Sequence, residues 1–564
     1  MTRLRKVSLP LGFAFCVAAC SSSTPDQLPV SGGGASSQAG NSNSSSGSGN
    51  NTSGASNTSG SGASNTSGSG AGGAGNTAGS GNVSGGNATT AGTSSGGSAS
   101  GGGPNNQAGT SAAGAPPVVV DLPDVVTSSN GSFWKTGTLT AVTSGNADVT
   151  ADANSKKQRW DGFGGTFNEA GWDALGVLSD ADKQLAIQYL FDAKDGANFA
   201  YGRLPIGASD YALARYTLAE TKDDFMMTSF SIAQDKKLLI PFIKAALAIK
   251  PDIHLWASPW TPPAWMKSNN STDAGNMTDS KEMLDAFALY LEKFVQAYAG
   301  EGLTIEAVHP QNEPGYTNPY PSCAWSQALY IKFIRDYLGP LFEKDKIPAQ
   351  IWCGTMSNQS DGTIAEALAK DSKAMSYVKG FGMQWNTMGS VSALKSTNQP
   401  IMQSEHRCGN YDFSSPHATS SYDANKPQND FAYGVESWLN IKDWIDAGVN
   451  SYSAWNMVLD TLGTNLNAQK PWHQNALLVV DRNAKKLTAT PAYYVFRHLS
   501  QFVAPKANVI GVSGASSLAF QNPDGAYVVV IYNSGAAKQG IVSLGGTKYQ
   551  FDMPGNGWAT IHHK

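Results

Sequence analysis

Eight strand-like stretches recur between residues 160 and 458, and several of the segments between them carry helical periodicity. The stretches are Trp160–Phe167, Phe199–Asp210, Ile253–Pro259, Ile305–Glu313, Ala349–Thr355, Val378–Trp385, Gln399–Glu405 and Asn450–Val458. Between them, Ser179–Phe191 opens with Ser179 and Asp182 as a cap-like pair. Lys281–Tyr298 places Leu284, Phe287, Leu291, Phe294 and Val295 on one helical face. Phe431–Ala447 and Tyr493–Phe502 are further helices, whereas the helical signal between the sixth and seventh strands is weak. Eight alternating units of this kind predict a (β/α)8 TIM barrel over residues 158–502. The alternative, an open doubly wound sheet, needs a phosphate loop. The one Gly-rich candidate, Gly162 to Phe167, has Phe167 at the third glycine position and no lysine beside it. It reads as a barrel strand end, and nucleotide binding is not expected.

Both flanks of the barrel are β-rich. Val118–Val126 and Leu139–Val149 precede it, broken by Asn130-Gly131 and Gly145-Asn146. Ser517–Phe520, Ala526–Tyr532, Gly540–Leu544 and Lys548–Phe551 follow it, separated by Gly, Asn and Pro turns. The expectation is a β-sandwich side domain formed by residues 116–157 and 503–564 together.

The start of the chain has a different character. Arg3, Arg5 and Lys6 precede an apolar run from Val7 to Ala19, too short to span a bilayer as a helix. It ends in Val17-Ala18-Ala19-Cys20, which resembles a bacterial lipobox and predicts lipidation at Cys20, the alternative being a plain secretory signal. Residues 21–115 are almost entirely Ser, Gly, Asn, Thr and Ala, with NTSG recurring at Asn51, Asn57 and Asn65. Such a tract has nothing apolar to bury and is expected to be a flexible tether with an r.m.s. reach of about 50 Å. The expected location is therefore the bacterial cell envelope, anchored at the outer surface or secreted, with membrane contact only through the lipid. Net charge is −4 with no basic block, so nucleic acid is not an expected partner and a neutral substrate is. A monomer is expected. Cys323, Cys353 and Cys408 are an odd set with no CxxC or CxxH spacing, so at least one is unpaired within the chain and no metal site is inferred.

Chemistry concentrates at the strand ends. Glu313 lies where IEAVHPQNEP leaves the fourth strand, and Glu405, in QSEHRC, ends the seventh. In a parallel barrel both emerge at the C-terminal face, where barrel enzymes carry their active sites. Two carboxyl groups across such a mouth suit glycosidic bond hydrolysis, one protonating the leaving oxygen and the other attacking the sugar carbon. A structural reading competes: Glu313 could accept loop amide hydrogens, and His406 and Arg407 could hold Glu405 in a salt bridge. Asp161, Glu169 and Asp173 are competing acids, while Asp210 ends the second strand and suits sugar-hydroxyl binding. Trp260, Trp265, Trp385 and Trp455 crowd the same rims, where indole faces pack on sugar C–H faces; Trp256 reads as core. Arg203, mid-strand among apolar residues, needs a buried carboxylate partner, for which Glu405 is the candidate. A serine hydrolase built on Ser258 or Ser404 would lack a nucleophile elbow.

The segments DGFGGTFNEAGW, GRLPIGASDY, WASPWTPPAWMKSN, VHPQNEPGYTNPYPSC, QSEH and SAWNMV resemble glycoside hydrolase family 30, the glucosylceramidase-like and β-1,6-glucanase-like enzymes. The resemblance implies a retaining β-glycoside hydrolase with Glu313 as acid/base and Glu405 as nucleophile, needing no cofactor. It further implies that Asn312 bonds the sugar 2-hydroxyl and that Asp210, Trp260, Trp385 and Trp455 line the glycone site. QSEHRC departs from the nucleophile-region patterns of particular subgroups, which leaves glucosylceramide, β-1,6-glucan and decorated xylan open as substrates. The alternative from another class is a non-catalytic carbohydrate-binding surface lipoprotein on the same fold.

Overall fold

The computed structural model describes residues 121–411, 417, 423, 425–469 and 471–564. Cys20 and the expected tether at 21–115 lie outside these residues. Eight parallel strands close into a barrel: β1 Gly162–Thr166, β2 Tyr201–Ile206, β3 His254–Pro259, β4 Ile305–Val308, β5 Gln350–Met356, β6 Val378–Met383, β7 Ile401–His406 and β8 Ser451–Asn456. Each pairs in parallel with its neighbours in chain order, and β8 closes on β1. β1, β7 and β8 are buried along their whole length, as strands covered on both faces must be. The glycines of β1 are there for space, since a Cβ on Gly164 would come within 2.2 Å of the Tyr201 carbonyl oxygen. That close approach between β1 and β2, rather than a phosphate cradle, accounts for the Gly-rich run.

Helices wrap the barrel. Lys281–Gly300 is capped by Ser280, which accepts from the Met283 amide, and it turns Leu284, Phe287, Leu291, Phe294 and Val295 inward. Burial of each such side chain contributes about 1.5–3 kcal/mol. Asp180–Phe191 starts at Ser179, whose hydroxyl accepts from the Asp182 amide and donates to its carboxylate. Phe431–Ala447 stops at Gly448, held at φ +108°, a left-handed turn that glycine adopts at little cost. The weak signal between β6 and β7 corresponds to one turn of helix, Val391–Leu394, flanked by 3-10 turns.

Strands from both ends of the described chain form one ten-stranded sheet. Its alternating faces bury different things. Val125, Ile510, Ala519, Val529, Ile531, Ala559 and Ile561 pack with Val149, Val542, Phe551 and Met553 from the far half of the sheet, which therefore folds onto itself as a sandwich. The next residues along the same strands, Val126, Val509, Phe520, Val528, Val530 and Trp558, join the barrel core instead. Trp558 packs on Phe431 at 4.9 Å, and His498 is hydrogen-bonded to both Ser128 and Thr560, 2.8 Å from each. The side domain is thus built into the barrel's wall.

The N-terminal strands differ from expectation. They run Val125–Ser129, Ser132–Gly137, Thr140–Val142 and Val149–Trp160. Pro123 offers no amide to a ladder, and residues 121–124 are not strand, while Val118–Val120 lie outside the described residues. Val149–Trp160 is rich in exposed Lys, Asn, Ser and Arg and carries little apolar alternation. It is held by pairing on both sides, with Ala507–Gly514 and Lys538–Leu544, and it continues past residue 157. Gly557–His563, another strand without a sequence expectation, lies between Val125–Ser129 and Tyr527–Asn533. A small sheet of Val458–Asp460, Leu478–Asp481 and Lys486–Ala489 follows β8 and was also not anticipated. No helix among the described residues is long and apolar enough to cross a membrane.

Candidate active site

Glu313 and Glu405 come together at the C-terminal mouth of the barrel, bridged by a residue that sequence reasoning missed. The Nε2 of Gln384 donates to Glu313 Oε1 and to Glu405 Oε2, at 3.1 Å each. The two carboxylate oxygens therefore lie no farther apart than twice that length. Gln384 is held in turn by the Ser404 hydroxyl, which donates to its Oε1 at 2.8 Å, and by its own amide, which donates to the Met356 carbonyl. Its place at the end of β6, in FGMQW, was the available signal. Glutamine, being neutral and non-titrating, does not announce itself as an acid does.

The competing salt-bridge reading of Glu405 is resolved by alternation along β7 and the residues just past it. His406 turns outward, bonded to the Tyr452 hydroxyl and to Ser437, and burial pushes its ring down to about 3, so it is neutral. Arg407 pairs with Glu436, both buried. Glu405 instead takes Arg203, whose Nη1 donates to Glu405 Oε2 at 2.5 Å. The Nη2 of Arg203 donates to Asn312 Oδ1 at 2.6 Å and to Ser258 Oγ at 3.1 Å. Its guanidinium also lies over Trp260, 4.4 Å from the ring centroid, and 5.2 Å from Trp256 and Trp455. A charge removed from solvent this completely is tolerable because its donors meet a carboxylate, an amide and a hydroxyl.

Asn312 Oδ1 also accepts from Thr355 Oγ1 at 2.6 Å, which leaves its Nδ2 hydrogens to donate into the cleft. Trp385 Nε1 donates to Glu405 Oε1 at 3.1 Å, so Trp385 is part of the carboxylate's support as well as of the wall. Trp385 and Glu313 both hold left-handed backbone, φ +49° and +50°, which costs a non-glycine residue of order 1 kcal/mol. The Glu313 amide, donating to the Thr355 carbonyl at 2.9 Å, secures that turn.

Electrostatics separate the two acids. Glu313 keeps a partly exposed face toward the cleft, but protein surrounds the rest of its carboxyl. Desolvation, then the charge of Glu405, then those of Asp361 and Asp210, hold its pKa well above the usual carboxylate range. Asp210 is pushed up to about 8, first by burial and then by Glu405. A cavity of about 360 Å³ opens above these groups, bounded by Asp210, Trp260, Asn312, Trp385 and Trp455, with both glutamates in its wall. Asp210, Trp260, Asn312, Trp385 and Trp455 all line it, as expected from the sequence, with Arg203 beneath. The structure adds Tyr316, Tyr320, Ser357, Asn358, Asn386, Tyr411, Trp472 and Gln474, all from loops whose path no periodicity encodes.

The competing acids lie elsewhere. Asp161 pairs with Arg159 beside a separate cavity that also takes in Tyr201 and His254 from the first residues of β2 and β3. Glu169 accepts from the Leu213 amide, and Asp173 pairs with Arg482. Trp256 is core, as expected, packed against the tilted ring of His309 at 4.4 Å. Trp265 is buried and donates to the Ala219 carbonyl rather than facing the cleft. Cys323, Cys353 and Cys408 are buried free thiols, so no disulfide joins them.

A family model for the glycosyl hydrolase family 30 TIM-barrel domain matches residues 160–503, and one for the family 30 beta sandwich domain matches residues 506–561. The chain belongs to glycosyl hydrolase family 30. The family 30 chain is 26% identical over 413 residues to the lysosomal acid glucosylceramidase of Mus musculus, covering 68% of this chain and 77% of that one. It is equally 26% identical, over 427 residues, to the endo-1,6-beta-D-glucanase neg1 of Aspergillus fumigatus, covering 68% and 81%. Among solved structures, the endo-beta1,6-glucanase BT3312 superposes with a TM-score of 0.69 at 23% identity, covering 78% of this chain and 99% of that one. The family 30 fold is a glycosidase fold, and the barrel and sandwich described above are its two parts.

Proposed function

We propose that this family 30 glycosidase hydrolyses β-linked glycosides with retention of configuration, through two displacements at one anomeric carbon. The observation that carries this reading is the Gln384 bridge, because two carboxylates sharing one amide nitrogen sit too close for the intervening water an inverting pair needs, about 6.5–9.5 Å. Glu405, held in place by Arg203 and Trp385, attacks the sugar carbon. Glu313, kept protonated by desolvation and by the charge of Glu405, gives its proton to the leaving oxygen. Once the glycosyl–enzyme ester has consumed the Glu405 charge, Glu313 is freed to take a proton from water, which then releases the sugar. In this reading Asn312 Nδ2 and Asp210 hold glycone hydroxyls, supported by their place in the cavity lining, and the stacked Trp260 and Trp455, 5.2 Å apart, form an apolar wall beside them.

Glucosylceramides and β-1,6-glucans are the substrate classes that the relatives' names bring forward. We also propose that lipidation at Cys20 and the tract at 21–115 hold the enzyme at the bacterial envelope. Replacing Cys20 by alanine should move it from the membrane fraction to the soluble fraction.

The deciding experiment is Glu405→Gln assayed on a panel of aryl β-glycosides, with the first-formed anomer followed by NMR in the wild type. The reading expects loss of turnover by about 10⁴-fold or more, since nucleophile and acid act as one unit, and a β anomer as first product. Near-normal activity of the variant, or an α anomer, overturns it.

A further inference from the structure

Loops from opposite sides of the barrel meet across its mouth. β4 and β8 are diametrically placed in the closed order of eight strands. Yet the Ala468 amide, on the segment after β8, donates to the Pro319 carbonyl, on the segment after β4, at 2.8 Å. Beneath that bond Tyr320 and Trp472, from the same two loops, meet edge to face at 5.3 Å. The Leu466 amide donates to the Asp210 carbonyl at 2.7 Å, which ties the loop after β2 into the same crossing.

Arg215 fastens the crossing from outside. Its Nε donates to both oxygens of Asp273, on the loop after β3, at 2.8 and 2.9 Å. Its Nη2 donates to the carbonyls of Pro319 at 3.2 Å and Leu466 at 2.7 Å. One guanidinium thus joins segments that follow four different strands. One N–H shared between both carboxylate oxygens and a second nitrogen donating to two carbonyls hold the guanidinium by more bonds than a surface ion pair.

The crossing walls the cavity: its Tyr320 and Trp472 line the same space as Asp210, after β2, and Trp455, on β8. That space also reaches a second set, Ser357, Asn358 and Asn386, after β5 and β6. Glu313 protonates the leaving group, so the leaving group extends toward that second set.

We infer that this bridge closes the glycone side into a dead end, so that the enzyme removes single sugars from non-reducing ends. The inference rests on the retaining-glycosidase reading and adds its mode of attack. Each cycle breaks one C–O bond, gives the anomeric carbon the oxygen of one water, and leaves that water's protons shared between the sugar hydroxyl and the leaving group. A β-glycan is then shortened stepwise, and a glycoside bearing a single sugar is cleaved once.

The test uses the full chain with 4-nitrophenyl β-glucoside, β-galactoside, β-xyloside and β-fucoside. It adds 4-nitrophenyl β-disaccharides of whichever sugar turns over fastest, in 1,3, 1,4 and 1,6 linkage. The expected result is immediate nitrophenolate from the monoglycoside. From the disaccharides, free monosaccharide should come first with nitrophenolate only after a lag, or no nitrophenolate at all. Intact disaccharide released together with nitrophenolate, without a lag, overturns the dead end. Arg215→Ala combined with Ala468→Pro, which removes the bridging amide hydrogen, should raise direct disaccharide release at least tenfold over wild type. A melting curve with a single transition checks that this variant is folded, and a folded variant with unchanged products also counts against the inference. Turnover of none of the monoglycosides, with oligosaccharides released from a β-1,6-glucan, also overturns the dead end, whereas no turnover of either removes the catalytic reading itself.

Discussion

Arg203 and Glu405 meet as an ion pair inside the barrel, Nη1 to Oε2 at 2.5 Å, the arginine side chain fully shielded from solvent and the glutamate nearly so. Removing one member strands the other. Arg203→Met should cost about 3–5 kcal/mol of stability in urea denaturation. Arg203→Met with Glu405→Gln should recover much of that loss while remaining inactive. If the double variant is as unstable as the single, the pair does not matter in this way.

Gln384 touches both acids, and its loss should be visible in the pH dependence. The amide favours the charged form of Glu313 by hydrogen bonding, opposing the rise caused by burial. Gln384→Leu removes that opposition, so the Glu313 pKa climbs further and the alkaline limb of kcat/KM moves to higher pH. A hydrogen bond to a charged group is worth about 1.5–3 kcal/mol, which corresponds to about one to two pH units. An unmoved alkaline limb would show that the bridge is only structural.

Glu313→Gln should discriminate between leaving groups. Glycosides with alkyl leaving groups need a proton and should lose about 10²–10⁴-fold. A 2,4-dinitrophenyl glycoside leaves without help, so its first, glycosylating step should persist as a burst of dinitrophenolate. The alkaline limb should vanish with the acid that causes it.

Asp235 offers a prediction away from the chemistry. It is fully buried and accepts from the hydroxyls of Tyr216 and Tyr298, both at 2.9 Å. Burial pushes its carboxyl up to about 7 from 3.8. A carboxyl raised on folding contributes stability that is complete below about pH 4 and is lost as pH rises through about 7. Asp235→Asn should therefore flatten the dependence of the melting temperature on pH between about pH 4 and pH 7. A variant that keeps the wild-type slope would place the sensitivity elsewhere, with Asp210 the next group to examine.

The sequence made the barrel legible because fully buried parallel strands are apolar runs ending in turn chemistry, as in IHLWASP and QPIMQSE. It made Glu313, Glu405 and the rim tryptophans legible because charged and large aromatic residues are conspicuous at strand ends. Gln384 escaped because an amide beside a tryptophan carries no charge signal. Val149–Trp160 escaped because its partners, at 507–514 and 538–544, are brought to it by the fold, and tertiary pairing overrode a polar sequence. Tyr320, Trp472 and Arg215 sit on irregular loops, where neither the 2.0 nor the 3.6 period applies.

The strand Gly557–His563 lies between Val125–Ser129 and Tyr527–Asn533, joining the two extremes of the described chain. Because one face of those strands packs into the barrel core, the barrel's wall is unfinished until Gly557–His563 has been synthesised. Contacts so distant in sequence form slowly and late. The strand Val125–Ser129 therefore gains its second neighbour only once Gly557–His563 has been made and has cleared the ribosome, so this part of the fold closes long after its first strand emerges.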